Sequence, residues 1–166
     1  TSSVRRFMRE GRAAALLKSD NAVRIYDVGR LPSGIPYIVM EHLEGEDLDR
    51  VRLRAPLSPE EVVDYVSQAL GALSEAHDAG LVHRDIKPQN LFLARLPDGQ
   101  RRVKVLDFGL AKELPTLDRT RSALTTDNMI LGSPHFMSPE QIRTPTSVDA
   151  RTDVWALGAT MFMLLT

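Results

Sequence analysis

One long helical segment with clear start and stop signals constrains the fold of this chain most. Ser58-Pro59-Glu60-Glu61 combines an N-cap serine, a proline in the first helical turn and a capping-box glutamate. Gly80 is a typical C-terminal stop. The segment therefore predicts a helix with one face in the core. Its predicted buried stripe consists of Val62, Val66, Ala69, Leu70 and Leu73.

The other predicted elements alternate between helices and short β-hairpins. Helical spacing of Phe7, Glu10, Ala14 and Leu17 predicts a helix over residues 3 to about 18. Two β-rich runs, 23–31 and 35–43, flank a Pro-Ser-Gly turn, and two shorter runs, 91–94 and 102–106, flank a Pro-Asp-Gly turn. Residues 114–130 show no periodicity, and a last helix begins near Arg151. The order predicts an α+β fold with little sheet.

Composition narrows the function classes. The chain has 166 residues, 43% of them apolar, which suits one domain. A net charge of −1 gives no reason to expect nucleic-acid binding, and the lack of cysteine excludes disulfides and fits a reducing cytoplasm. The most apolar run, 154–165, is shorter than the roughly 20 residues that span a bilayer. We expect it to be a buried helix, although a membrane segment interrupted by the chain end also fits the pattern.

Four motifs occur in a fixed order between these elements. They are His83-Arg84-Asp85-Ile86-Lys87-Pro88-Gln89-Asn90, Asp107-Phe108-Gly109, the run from Gly132 to Glu140, and Asp153-Val154-Trp155-Ala156-Leu157-Gly158. In this order and context the chain resembles the eukaryotic-like, bacterial-type serine/threonine protein kinases. The resemblance implies part of a two-lobe kinase fold, in which residues 1–43 end the small lobe and residues 44–166 form the large lobe up to its central helix.

The resemblance assigns chemistry to the first two motifs. Phosphoryl transfer requires positioning and charge neutralisation more than covalent help. Asp85 is expected to accept the proton of the substrate hydroxyl, and Lys87 to contact the transferring phosphoryl group, which implies a serine/threonine acceptor. Asn90 and Asp107 are expected to bind Mg²⁺ or Mn²⁺ together with ATP. Asx capping of a loop is the alternative role for Asp85 and Asn90, but it does not explain the accompanying Lys87 and Asp107.

The same resemblance implies a nucleotide pocket. Glu10 is expected to pair with an ATP-anchoring lysine upstream of it, although a solvated glutamate at the edge of the helix also fits. Met40 would guard the back of the adenine pocket, the backbone of Glu41 and Leu43 would bond the base, and Leu93 would form the floor. Apolar strand residues are also commonly just core, so these assignments rest on the resemblance alone.

Regulatory residues are implied in the long loop. Arg84, beside the catalytic aspartate, is expected to pair with a phosphate on this loop. Thr125 and Thr126 are the expected acceptors of that phosphate because of their position before Gly132. Ser133 is expected to line the substrate loop and to bond Asp85 and Lys87.

The implied activity is ATP-dependent phosphorylation of serine and threonine in protein substrates, with self-association of two copies for autophosphorylation. No glycine-rich loop or strand lysine precedes Glu10, so the 166 residues alone are expected to be inactive or nearly so. Two rivals are a pseudokinase that serves as a binding module and a small-molecule phosphotransferase of the aminoglycoside-kinase type. The intact Asp85, Lys87, Asn90 and Asp107 argue against the first, and the substrate loop that ends at Glu140 argues against the second.

Overall fold

The computed structural model describes residues 2–108, 134–143 and 148–166. Its first unit is helix α1 (Ser2–Ala14) packed on an antiparallel hairpin of β1 (Ile25–Arg30) and β2 (Pro36–Met40). The helix ends earlier than predicted, whereas the hairpin is confirmed. Phe7 and Ala14 are buried on the inner face of α1. A Cβ at Gly11 would lie 3.0 Å from a methyl carbon of Val28, so the glycine allows the close approach of helix and strand.

A second sheet has the order β3-β4-β5, with β3 at Gly45–Asp47, β4 at Leu91–Arg95 and β5 at Arg101–Val105. The predicted hairpin is confirmed, and its register pairs Leu91 with Val105. Strand β3 was not predicted, because it is short and its residues carry no apolar alternation. A Cβ on Gly45, whose φ is 145°, would lie 2.2 Å from the carbonyl oxygen of Leu93. Only glycine permits this contact between β3 and β4.

Helix α3 (Pro59–Asp78) carries the predicted capping box. The Ser58 hydroxyl accepts a hydrogen bond from Glu61 N at 3.2 Å, and the Glu61 carboxylate accepts one from Ser58 N at 2.9 Å. Gly80, with φ of 72°, follows the end of the helix. The prediction that Leu70 is buried is wrong, since this side chain is 44% exposed. Tyr65, Ala72 and Ala76 are buried on α3 in addition to the other predicted positions.

The remaining described elements are helices and 3₁₀ turns. Helix α2 (Leu48–Arg54) follows β3, a 3₁₀ turn (Pro88–Asn90) precedes β4, another (Pro134–Phe136) precedes α4 (Pro139–Arg143), and α5 (Arg151–Leu165) packs against α3. Helix α5 begins where it was predicted, but it is not buried on all sides. Its inner face is buried at Ala156, Leu157 and Leu164, while Trp155 and Phe162 are more than half exposed. Within the described ranges, no helix combines the length and apolar character that a membrane crossing needs.

Candidate active site

The loop from His83 to Asn90 is held to α5 by one buried carboxylate. Asp153 is fully buried. Its Oδ2 accepts a hydrogen bond from His83 N at 2.8 Å, and its Oδ1 accepts one from Arg84 N at 2.7 Å. Oδ2 also lies 2.8 Å from Nε2 of His77 on α3. The carboxylate therefore joins two helices to the start of this loop.

The ring of His83 occupies the centre of the site as a neutral imidazole. Its Nδ1 accepts a hydrogen bond from Asp85 N at 3.2 Å, so its Nε2 carries the proton and donates to the Leu106 carbonyl at 2.7 Å. Burial lowers the pKa of His83 below its ordinary value, against the opposing influence of Asp153, the Leu106 carbonyl, Asp85 and Asp107. The ring also packs against Phe108 at a centroid distance of 5.1 Å.

The side chains of Lys87 and Asn90 converge on the carboxylate of Asp85. The Lys87 ammonium nitrogen lies 3.0 Å from Asp85 Oδ2. The Asn90 side-chain amide donates to Asp85 Oδ2 at 3.1 Å and to the Asp85 carbonyl at 2.7 Å. Asn90 N donates to the Lys87 carbonyl within the 3₁₀ turn, which brings the amide back towards Asp85. The structure thus brings together the three residues that the sequence predicts for catalysis.

Asp107 reaches the same region through the β4–β5 hairpin. Asn90 precedes β4 and Leu106 follows β5, and Leu106 N donates to the Asn90 carbonyl at 2.9 Å. Asp107 therefore stands one residue beyond the pair that closes the hairpin. Its φ of 53° lies in the left-handed region, which is uncommon outside glycine and clusters at functional sites.

The residues near Asp107 fit a magnesium ion that is shared with phosphates. The Asp107 carboxylate is exposed and makes no hydrogen bond or ion pair with the described residues. Within those residues no cluster of three or more His, Cys, Asp or Glu side chains could enclose a metal ion. Mg²⁺ retains several waters and commonly takes only one or two protein carboxylates beside substrate phosphates. An Asp and an Asn at neighbouring ends of a rigid hairpin satisfy that requirement.

Glu10 lies on α1 and is largely shielded, with a side chain 14% exposed. Its carboxylate accepts a hydrogen bond from Arg6 Nε at 2.9 Å, one helical turn earlier. The inward position agrees with the sequence pattern. The observed partner is an arginine of the same helix, so Glu10 is neither solvated nor held by a lysine among the described residues.

The residues predicted to contact adenine lie at the end of β2, directly after it and in β4. Met40 ends β2 and is 38% exposed, while Leu93 is buried in the centre of the second sheet. Glu41 N donates to the Arg24 carbonyl at 2.9 Å, and the Glu41 side chain accepts from Lys104 Nζ at 2.7 Å. Across the described part of the chain, the Glu41 carbonyl and the Leu43 amide make no hydrogen bond. Both are therefore available to a planar heterocycle.

The predicted regulatory residues are described only in part. Arg84 adopts φ of 64°, a second left-handed position beside the site. Thr125, Thr126 and Ser133, as well as the long segment 114–130, lie outside the described residues.

Two residues that hold the site, Asp153 and Gln141, had no role assigned from sequence, although each lies in or beside a recognised motif. Gln141 Nε2 donates to the Arg84 carbonyl at 2.7 Å. Both residues act on the backbone of the loop from His83 to Asn90 across long sequence separations, and no local spacing reveals such a contact. The signal that was available is the charge of Asp153 one helical turn before the apolar Ala156 and Leu157, which favours a buried, satisfied carboxylate.

Comparison with known proteins places these features in a family context. The family model described as "Protein kinase domain" matches residues 1–166. The chain is 41% identical to serine/threonine-protein kinase pkn3 of Myxococcus xanthus over 165 residues, which cover 99% of the chain and 30% of the relative. It is 40% identical to serine/threonine-protein kinase PrkC of Bacillus subtilis over 164 residues, which cover 98% of the chain and 24% of the relative.

Solved structures give the same result for the fold. The crystal structure of a mutant of the Mycobacterium tuberculosis PknI kinase domain superposes with a TM-score of 0.75 at 28% identity. The superposition covers 99% of this chain and 57% of the PknI chain. The chain thus spans a little over half of that solved domain and less than a third of the length of these curated relatives.

Proposed function

Because the chain belongs to the protein kinase domain family, we propose that it is the catalytic part of an enzyme that transfers the γ-phosphoryl group of ATP to serine and threonine hydroxyls of proteins. The single observation that carries the proposal is the convergence of Lys87 and Asn90 on the carboxylate of Asp85. A carboxylate held by a cation and an amide has a fixed orientation. A base in phosphoryl transfer requires such an orientation to receive the proton of the acceptor hydroxyl.

Each of these residues has a proposed task. Asp85 orients the acceptor hydroxyl and receives its proton. Lys87, whose ammonium lies 3.0 Å from Asp85 Oδ2, neutralises negative charge on the phosphoryl group as it approaches the same carboxylate. Asn90 holds Asp85 through its amide nitrogen, and its side-chain oxygen would serve as a metal ligand. The lysine supports a serine or threonine acceptor by resemblance to kinases of that specificity.

ATP and a divalent metal ion are the proposed cofactors. When bound, Mg²⁺ or Mn²⁺ would offset the negative charge of the phosphates. Asp107 and Asn90 would hold the metal ion, and their hairpin supplies the rigid base. The Glu41 carbonyl and the Leu43 amide would bond adenine, with Met40 at the back of the pocket and Leu93 as its floor. The two separate sheets support the proposed division into a small lobe at 1–43 and a large lobe at 44–166.

Regulation and location are further parts of the proposal. A phosphate on Thr125 or Thr126 would pair with Arg84 and order the long loop, and Ser133 would bond Asp85 and Lys87. Glu10, which bonds Arg6 here, would exchange this partner for an ATP-anchoring lysine. The proposed partners are protein substrates and a second copy of the kinase, which would allow autophosphorylation. The proposed location of the catalytic site is the cytoplasm. The near-neutral net charge supports the absence of a nucleic-acid partner.

Phosphotransfer from labelled ATP to a generic basic protein tests the proposal. The full-length protein in which these residues occur is compared with Asp85→Asn and with Asp78→Asn, a matched loss of one exposed charge on α3. We expect Asp85→Asn to lower kcat by about 10²–10⁴-fold and Asp78→Asn to leave it unchanged. Chelation of divalent ions should abolish activity, and added Mg²⁺ or Mn²⁺ should restore it.

Two results would refute the assignment and favour the rivals. Binding of ATP without phosphotransfer in the wild-type protein would indicate a pseudokinase. Phosphorylation of an aminocyclitol in preference to the basic protein would indicate a small-molecule phosphotransferase. Equal activity of the wild type and Asp85→Asn would remove the proposed role of that carboxylate.

A further inference from the structure

The peptide unit that joins Arg84 to Asp85 is held at both ends. Its carbonyl oxygen accepts a hydrogen bond from Gln141 Nε2 at 2.7 Å. Its N–H donates to His83 Nδ1 at 3.2 Å. Because a peptide unit is planar, bonds to both its oxygen and its hydrogen define the orientation of the whole plane. Together with the φ of Asp85, that plane sets the direction in which the Cα–Cβ bond of Asp85 leaves the backbone.

Gln141 is itself held by a directed chain of hydrogen bonds. Only its amide nitrogen can donate to the Arg84 carbonyl, so its Oε1 must accept. The Thr152 hydroxyl donates to this Oε1 at 3.1 Å. The Ser138 hydroxyl is bonded to Thr152 Oγ1 and accepts from Gln141 N at 3.3 Å. Since Thr152 uses its proton on Gln141, the Ser138 proton must point to Thr152.

This chain of bonds is shielded from water. Ser138 and Thr152 are both fully buried, so a competing water cannot replace either hydroxyl without rearrangement. Ser138 lies just before α4, and Thr152 lies in the first turn of α5. The side chain of Gln141 therefore transmits the relative position of these two helices to the catalytic loop.

The backbone of the loop needs such support. Arg84 has φ of 64°, a left-handed conformation that persists in a non-glycine residue only where its surroundings enforce it. Asp153 binds the N–H groups of His83 and Arg84, and both groups lie on the N-terminal side of the Arg84 Cα. Asp153 makes no bond to the Arg84 carbonyl, which lies on the other side of that Cα. Gln141 supplies the missing restraint, on the last carbonyl before Asp85.

We propose that Gln141 is a positioning residue for Asp85, acting through the Arg84 carbonyl, and that Ser138 and Thr152 orient its carboxamide. The catalytic consequence rests on the proposed function, whereas the structural consequence does not. Replacement of Gln141 should free the Arg84–Asp85 peptide plane while the helices, the sheets and the nucleotide pocket remain in place.

The test compares Gln141→Met with Gln68→Met in the full-length protein. Gln68, on α3, is a matched control because its Oε1 also binds the backbone of another element, accepting from Val103 N at 2.8 Å. Its hydrogen bonds to described residues all lie outside the catalytic loop. Methionine has similar length and no hydrogen-bonding amide in both variants. Backbone amide exchange is measured at Asp85 and Val103, and kcat and KM for ATP and for the protein substrate are measured in parallel.

We expect at least about tenfold faster exchange at Asp85 in Gln141→Met only, and at Val103 in Gln68→Met only. A small misplacement of a reacting group lowers the rate by on the order of 10²-fold, so kcat should fall by about 10–100-fold in Gln141→Met with both KM values within about twofold of wild type. Gln68→Met should keep the wild-type kcat. Gln141→Glu, which retains the acceptor oxygen and loses the donor, should behave like Gln141→Met.

Unchanged exchange at Asp85 in Gln141→Met overturns the proposal, whether or not the protein is active. An equal loss of kcat in the two methionine variants also overturns it, because the effect would then be general destabilisation. Absence of phosphotransfer in the wild type refutes the proposed function instead, and the exchange measurement alone then decides the role of Gln141.

Discussion

Replacement of Asp153 by alanine should be among the most destabilising single substitutions in this protein. The carboxylate is fully buried and accepts hydrogen bonds from His83 N, Arg84 N and His77. The His77 ring is 18% exposed and can turn towards water when its partner is lost. The two main-chain donors cannot, because they are fixed in the loop.

The magnitude follows from those two donors. A buried donor left without an acceptor costs about 1–3 kcal/mol, so Asp153→Ala should lower the free energy of unfolding by about 2–6 kcal/mol. A typical domain has only about 5–15 kcal/mol in total. Asp153→Asn keeps one acceptor oxygen and should cost about half as much, which keeps the reasoning testable if the alanine variant does not fold.

Urea unfolding, followed by far-ultraviolet circular dichroism, measures these differences. Asp78→Asn is the control, since it removes an equal charge from an exposed position and should change stability by less than about 0.5 kcal/mol. The expected order of stability is wild type, Asp153→Asn, then Asp153→Ala. An alanine variant within about 1 kcal/mol of the Asp78→Asn protein would show that Asp153 does not hold the loop.

Three further predictions concern stability. His83 has a pKa below the ordinary 6.5, so the unfolded state binds the extra proton and stability should fall as pH drops below about 6.5, by at most about 1.4 kcal/mol per pH unit. His83→Phe should remove that component of the slope in urea titrations between about pH 7 and 5, and an identical slope would contradict the neutral, buried ring. Gly45→Ala should lower the free energy of unfolding by more than about 1 kcal/mol, because its Cβ would meet the Leu93 carbonyl. A melting temperature equal to that of the wild type would disprove the contact. Ser58→Ala should cost about 0.5–2 kcal/mol in the same melting assay through loss of the capping box, and an unchanged midpoint would mean that the cap contributes nothing.

Several elements were predictable because their signals are local. The capping box at Ser58 involves residues three apart, and the turns of both hairpins depend on glycine and proline within a few residues. The pairing of Asn90 with the region of Asp107 also follows from sequence, since a hairpin brings its two ends together. For such features the interacting groups are neighbours along the chain before folding begins.

Other features depended on which surfaces the fold brings together. Leu70 fits the apolar periodicity of α3 but is exposed, because the packing of α3 selects Tyr65, Ala72 and Ala76 instead. Strand β3 exists because Gly45 permits close pairing with β4, not because its own residues favour a strand. Periodicity identifies a helix, but it does not define the width of the face that neighbouring elements cover.

The sequence alone determined the kinase family of this chain, because four spaced motifs carry it. The same motifs predicted the site group of Asp85, Lys87, Asn90 and Asp107. Only the tertiary structure shows which residues hold that group in place. Asp153 lies 70 residues from His83, and Gln141 lies 57 residues from Arg84, yet both bind the backbone of the loop from His83 to Asn90. Backbone N–H and C=O groups are alike in all residues except proline, which lacks the N–H, so no sequence pattern reveals which side chain will bind them. Only the packing of α4 and α5 against the loop selects these partners.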